Sequence, residues 1–271
     1  MRTLPATHPD DFARLDTTAL RERFLVEELF VPGQVTWAHA ADDRLLLGGL
    51  VLTDDLIRLA PPELLAAEAL CSRRELAVVC LGGRLTVDCD GEEHGLDELD
   101  VLYVGRGTSD ITVAGTGRAY LVSAPAHADH PTRVGRRDEV FAADLGEPEQ
   151  ANVRTIRRYV HADGIASANL VLGITTLAPG SVWNTMPCHT HARRTEVYLY
   201  TGLGTSGRVV HLAGPPDATR SLVVADDQAV VSPGWSVHTG VGTSAYSFVW
   251  AMAGENQDYA DMHPVDVAEL R

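Results

Sequence analysis

The sequence predicts an all-β protein built of two barrel- or sandwich-like halves, with short helical segments near its N-terminus. Three observations carry that prediction. From Glu75 onward, apolar runs of strand length (ELAVVCLGG, RLTVDCDG, DVLYVGRG, DITVAG, RAYLVSAPA) follow one another at short spacings and are broken by glycine turns. No glycine-rich G-x-G-x-x-G opens a helix, so alternating βα units are not expected. The second half then repeats the first in form, with NLVLGITTLAPG, TEVYLYTG, RVVHLAG, SLVVAD, QAVVSPG and YSFVWAMAG as its strands.

In chain order, DTTALRERFLVEELF (residues 16–30) opens with an Asp/Thr cap and places Leu20, Phe24 and Leu25 on one face, which predicts an amphipathic helix. Short apolar runs from Val35 to Leu59 predict strands. PPELLAAEAL (61–70) starts on proline and carries a Leu/Ala face, which predicts a brief helix. After the first set of strands, residues 124–150 are rich in proline, glycine and charge and read as the connection between the halves, with His127 and His130 as exposed loop residues. Residues 1–135 and 136–271 are the expected domains. The halves can be laid on each other: DVLYVGRGTSD from Asp100 matches QAVVSPGWSVH from Gln228, pairing Gly105 with Pro233 and Asp110 with His238. Arg73-Arg74-Glu75 then faces Arg193-Arg194-Thr195-Glu196 with a slip of one residue.

Composition narrows the function. With 271 residues, 45% of them hydrophobic, the chain can bury a large core. A net charge of -15 disfavours nucleic acid and anionic membranes as partners, because phosphate demands clustered positive charge. No apolar run is long enough to span a bilayer and the polar N-terminus lacks a secretory core, so a cytoplasmic protein with reduced Cys71, Cys80, Cys89 and Cys188 is expected. All 22 basic residues are arginine. Without lysine, neither Schiff-base catalysis nor a P-loop can operate.

The chemistry concentrates in WNTMPCHTHARRTEVYLY, residues 183–200. Side chains alternate along a strand, so His189 and His191 point the same way, and Glu196 can return to the same point after a short turn. A fourth donor, His238, follows the Pro233-Gly234 turn. Three imidazoles and a carboxylate suit a divalent ion: Zn is expected, and Mn, Fe or Ni is compatible. The competing reading is an ion that only staples the fold. Cys188 faces away from His189 and reads as a small core residue.

The H-x-H-x4-E spacing followed by P-x4-H on strands resembles the two cupin motifs, although the first motif's glycine is displaced to Gly180 and Trp235 stands where the second motif usually has glycine. The wording is more specific still. NTMPCHTHARRTEVYLY, SPGWSVHTGVGTSAYSFVWAMAGENQDYADM, LRERFLVEELFVPG, RRELAVVCLGG, LYVGRG and APAH together resemble the 5-keto-4-deoxyuronate isomerase family over nearly the whole chain. That resemblance implies two cupin barrels of jelly-roll (double-stranded β-helix) type, the first without a metal. It also implies one divalent metal held by His189, His191, Glu196 and His238, a hexamer, and a role in the breakdown of pectin-derived uronates. Similar proteins tend to have lysine in place of Arg158, an exchange that substrate anchoring tolerates better than proton transfer.

The implied reaction converts 5-dehydro-4-deoxy-D-glucuronate to 3-deoxy-D-glycero-2,5-hexodiulosonate. The runner-up is 5-deoxyglucuronate isomerase of inositol catabolism; a cupin dioxygenase and a non-catalytic sugar-acid binder are the other classes. For the substrate carboxylate, Arg194 shares the inward direction of Glu196 and Arg158 is a second candidate, against the bland reading of surface arginines at a turn. For proton transfer, Tyr198 is inward and Glu255 lies where a loop could bring it over the barrel mouth with Asn256 and Gln257; Gln257 is expected to bind substrate. Core packing for Tyr198 and a solvated turn for Glu255 are the alternatives.

Overall fold

A computed structural model describes residues 1–255, 258 and 261–271. The fold is mostly β, with 48% of the chain in strands and 9% in helix. It divides into two compact units that are interleaved in sequence. Residues 1–3, 28–141 and 159–171 make the first; residues 4–27, 142–158 and 172–271 make the second.

In the first unit, Thr36–Ala40, Leu45–Thr53, Ile111–Pro125, Arg74–Cys89, Val101–Val104 and Arg133–Gly135 follow one another as neighbours in one antiparallel sheet. Two long strands dominate it, Arg74–Cys89 and Ile111–Pro125, paired along their length with a bulge between Cys80 and Gly82. Gly83, at φ +80, lies against the partner strand so closely that a Cβ would sit 2.0 Å from the Thr116 carbonyl oxygen, so only glycine fits there. The sheet closes over an apolar core that includes Leu46, Leu76, Val78, Leu102, Val104 and Leu121. Deep beside it, Glu75 accepts from the Tyr103 hydroxyl at 2.7 Å and from the backbone N–H groups of Ala168, Asn169 and Leu170 at 2.7, 2.7 and 2.6 Å. Four donors satisfy a carboxylate that burial would otherwise penalise heavily.

In the second unit, the larger sheet runs Arg154–Val160, Val171–Leu177, Ser247–Gly254, Arg194–Thr201, Gln228–Ser232 and Leu25–Val26. A four-stranded sheet of Trp183–Asn184, Val237–Gly242, Val209–Gly214 and Arg220–Val224 accompanies it, and His189–Thr190 pairs with His263–Pro264. Aromatic rings fill the interior: Tyr198 on Phe248 at 4.7 Å, Tyr200 on Tyr246 at 5.6 Å and on His211 at 5.9 Å.

Three expected elements differ. The helix expected over 16–30 is Thr17–Phe24, capped by Asp16 on the Ala19 N–H at 2.8 Å. It stops at Phe24 because Leu25 and Val26 turn extended and pair with Val230 and Ala229, burying both side chains in the sheet. Over 61–70 only a 3-10 turn forms, Glu63–Leu65, closed by Ala66 at φ +44. The connection over 124–150 contains two strands, Arg133–Gly135 and Phe141–Leu145. Trp235, the departure from the second cupin motif, has a visible use. Its ring meets Phe12 at 5.4 Å and Phe24 at 6.3 Å, seating the N-terminal helical segment on the second unit.

Candidate metal centre

The strand pairing of the second unit brings the four predicted donors together. His189 lies on a two-residue strand held by Pro264, and His191 follows it. Glu196 is the third residue of Arg194–Thr201, and His238 lies on Val237–Gly242 just past the Pro233-Gly234 turn. Their ligand atoms lie within 4.8 Å of one another, and among the described residues this is the group that could hold a metal ion. Glu196 Oε2 is 2.8 Å from the Nε2 atoms of both His191 and His238. His189 Nε2 is 3.2 Å from that of His191 and 3.0 Å from that of His238.

This donor set fits a dication. The His191 Nδ1 lies 2.5 Å from the Asp261 carbonyl oxygen; donating a proton there leaves the Nε2 lone pair facing the cluster. Burial and the neighbouring His238 pull His189 down to about 3, so it is neutral and available as a ligand at neutral pH. For Glu196, burial alone would raise the carboxyl, but the adjoining His238 and His191 outweigh it and hold the group well below the usual carboxylate range. Three nitrogens and a carboxylate oxygen converging on one point form a site for a positive ion.

Above the cluster opens a cavity of about 300 Å³. Its walls follow strand alternation. Arg154, Ile156 and Arg158 project from one strand, Glu196 and Tyr198 from another, and Phe248, Trp250 and Met252 from a third, each set at every second residue. Thr175, Thr185, Pro187, Leu145 and Met262 complete the lining beside His189 and His191. Gly173 makes room for the Trp250 ring, which sits 2.0 Å from where a Cβ would be, and the Trp250 indole N–H donates to the Thr175 hydroxyl at 3.1 Å.

Of the residues expected to bind substrate or move protons, Tyr198 and Arg158 line this cavity. Arg194 does not: it is buried opposite Gly254, and its guanidinium turns toward the Asp261 carbonyl oxygen at 3.4 Å. Glu255 also stands apart from the lining, as an exposed residue 3.4 Å from Arg193. Gln257 lies outside the described residues. Arg154 and Thr185 were not anticipated. Arg154 was readable from VRTIRRYV, since it lies four residues before Arg158 and so on its face; nothing in the sequence marks Thr185. Cys188 is buried beside Val237 and Val265, as a core residue should be.

A two-unit β fold with three histidines and a glutamate converging in one unit is the architecture of the cupin class. The chain belongs to the KduI/IolB family, whose model matches residues 25–267. It is 50% identical to a 4-deoxy-L-threo-5-hexosulose-uronate ketol-isomerase of Kineococcus radiotolerans over 98% of both chains. Proteins of the same name from Caldicellulosiruptor bescii and Cereibacter sphaeroides are 42% and 44% identical, each covering 98% of this chain and 98% and 97% of their own. Among solved structures, an IolB-like protein of Salmonella typhimurium matches with a TM-score of 0.73 at 14% identity, over 89% of this chain and 96% of that one. Lactobacillus farciminis oxalate decarboxylase matches at 0.56 and 10% identity, over 82% and 79%. At such identities it is the fold that is shared. No helix among the described residues is long and apolar enough to cross a membrane.

Proposed function

We propose that this protein is a metal-dependent ketol-isomerase of pectin and uronate breakdown, converting 5-dehydro-4-deoxy-D-glucuronate to 3-deoxy-D-glycero-2,5-hexodiulosonate. The observation that carries this reading is the three-histidine, one-glutamate cluster at the base of a cavity whose wall presents two arginines. The shared name of the relatives supports the same substrate.

His189, His191, Glu196 and His238 would hold the ion, Zn by the character of the donors. When bound, it supplies Lewis acidity for the aldehyde oxygen and its neighbouring hydroxyl, which the lysine-free chain cannot replace with a Schiff base. Arg158 and Arg154 take the substrate carboxylate, the group that an arginine fork matches with paired hydrogen bonds. The Phe248, Trp250 and Met252 wall faces the deoxy carbon, where a methylene is better accommodated than a hydroxyl. Tyr198 offers a hydroxyl at the cluster's edge for proton exchange with substrate oxygens.

The test is an assay of purified protein with the 4-deoxy-5-ketouronate and, separately, with 5-deoxyglucuronate, alongside metal analysis. Turnover of the first with stoichiometric divalent metal is expected. Turnover of only the second, or undiminished turnover of the first after chelation has stripped the metal, refutes the reading.

A further inference from the structure

Ketol isomerisation moves a proton as well as a carbon-bound hydrogen: a substrate hydroxyl loses its proton while the adjacent carbonyl oxygen gains one. The cavity contains a pair of hydroxyls suited to that exchange. Thr185 Oγ1 lies 2.9 Å from the Tyr198 hydroxyl, and either oxygen can be the donor. Both side chains line the cavity together with His189, His191 and Glu196. Tyr198 is set by its strand position two residues after Glu196, with its ring on Phe248 at 4.7 Å and edge-on to His238 at 5.5 Å. The third lining hydroxyl, Thr175, is engaged by the Trp250 indole.

Thr185 also occupies its place against its own backbone preference. At φ +48 it adopts a conformation that glycine or asparagine takes readily and that a β-branched residue disfavours. A β-branched side chain held at such a φ is a cost that a use for its hydroxyl would offset.

We propose that Thr185 and Tyr198 form a two-hydroxyl relay that carries a proton between the two substrate oxygens exchanged in the isomerisation. This rests on the ketol-isomerase reading. The substrate O–H bond breaks and its proton passes to one hydroxyl of the pair. That hydroxyl's own proton crosses the hydrogen bond to the second. The second gives its original proton to the carbonyl oxygen. As many O–H bonds form as break, and neither side chain ends charged. The hydrogen bond between the pair is left reversed, and rotation of the two hydroxyls resets it.

The experiment is steady-state kinetics on the ketouronate with metal-loaded Thr185→Val, Thr185→Ser, Tyr198→Phe and the Thr185→Val/Tyr198→Phe double variant, each with its metal content and thermal melt. Thr185→Val keeps the branched shape and removes the hydroxyl; kcat should fall at least about tenfold with KM within about twofold, as for loss of a proton-transfer group. Thr185→Ser should stay within about threefold of wild type, and the double variant should match Tyr198→Phe because the pair acts as a unit. Wild-type kcat in Thr185→Val, equal losses in the valine and serine variants, or losses that multiply in the double variant overturn the relay. If Thr185→Val does not fold, Thr185→Ala carries the same comparison. A wild-type enzyme inactive on the ketouronate refutes the isomerase reading and the relay together, whereas failure of the variant pattern alone refutes only the relay.

Discussion

Leu76 holds in the first unit the register position that Glu196 holds in the second. Glu196 lies opposite Ser232 and Met252 on its two neighbouring strands; Leu76 lies opposite Val104 and Ser123. Laying Val104 on Ser232, as the match from Asp100 and Gln228 does, places Leu76 on Glu196 and Arg74 on Arg194. The one-residue slip expected from Arg73-Arg74-Glu75 therefore disappears, and the carboxylate's counterpart is a leucine buried in the apolar core. Asp110, the counterpart of His238, is spent on an ion pair with Arg58 at 2.6 Å.

Installing the first unit's residue in the second tests the site. Glu196→Leu should bind no divalent ion where the wild type is expected to bind one per chain, and should lose isomerase activity by at least about a thousandfold, since the Lewis acidity that a bound ion would supply goes with it. Metal analysis of gel-filtered protein beside the activity assay measures both, and an active, metal-replete variant would count against the ligand assignment.

Acid should destabilise the protein partly through His211. Burial, then His238, pulls this imidazole from the ordinary 6.5 down to about 3, and its Nδ1 is engaged with the Tyr200 hydroxyl at 2.7 Å. Between pH 6.5 and 3 the unfolded chain takes up a proton that the folded chain refuses, so this contribution is complete above 6.5 and is lost as pH falls through the window. The slope approaches about 1.4 kcal/mol per pH unit for one proton. Urea midpoints of wild type and His211→Gln should therefore diverge in slope by about one proton between pH 6 and 4; parallel curves would show that His211 is not buried neutral.

Arg158 and Arg194 should fail in different ways. Arg158→Gln, on the cavity wall, should raise KM and lower kcat/KM by about 10- to 100-fold with little change in stability, as expected for one charge-assisted carboxylate contact. Arg194→Gln, buried away from the lining, should lower the melting temperature instead. Kinetics and thermal melts of both variants separate the two, and the opposite pattern would return the carboxylate to Arg194.

Gly173→Ala should act on the cavity through Trp250. The added methyl would overlap the indole at 2.0 Å and the Arg157 carbonyl oxygen at 2.5 Å, so the ring must move. Overpacking of this kind costs about 1–3 kcal/mol, and the displaced ring narrows the cavity. A lower melting temperature with raised KM is expected; an unchanged KM would place the ring outside the substrate's path.

The convergence of the four donors was legible because three of them lie within one strand-turn-strand and the fourth follows a marked turn. Strand alternation decides such directions from sequence alone. The cavity wall was less legible, because which strand lies beside which depends on long-range pairing: Arg154 and Arg158 reach the cavity on Arg154–Val160, a strand that ends 29 residues (189 − 160) before His189–Thr190. Thr185 was hidden for another reason, since its φ of +48 contradicts what a threonine predicts. The shortened helix after Asp16 shows the same override, with sheet pairing of Leu25 and Val26 ending a favourable helical pattern.

The interleaving of the units constrains how this chain can be divided. A fragment beginning after residue 135 lacks Phe12 and Phe24 and would leave Trp235 facing water. A fragment ending there lacks residues 159–171 and would leave the Glu75 carboxylate without three of its backbone donors. A cut after residue 135 thus leaves each unit without a piece encoded on the other side of it. The first unit, with leucine at position 76, cannot be removed by simple truncation without also removing the Phe12 and Phe24 that pack on Trp235.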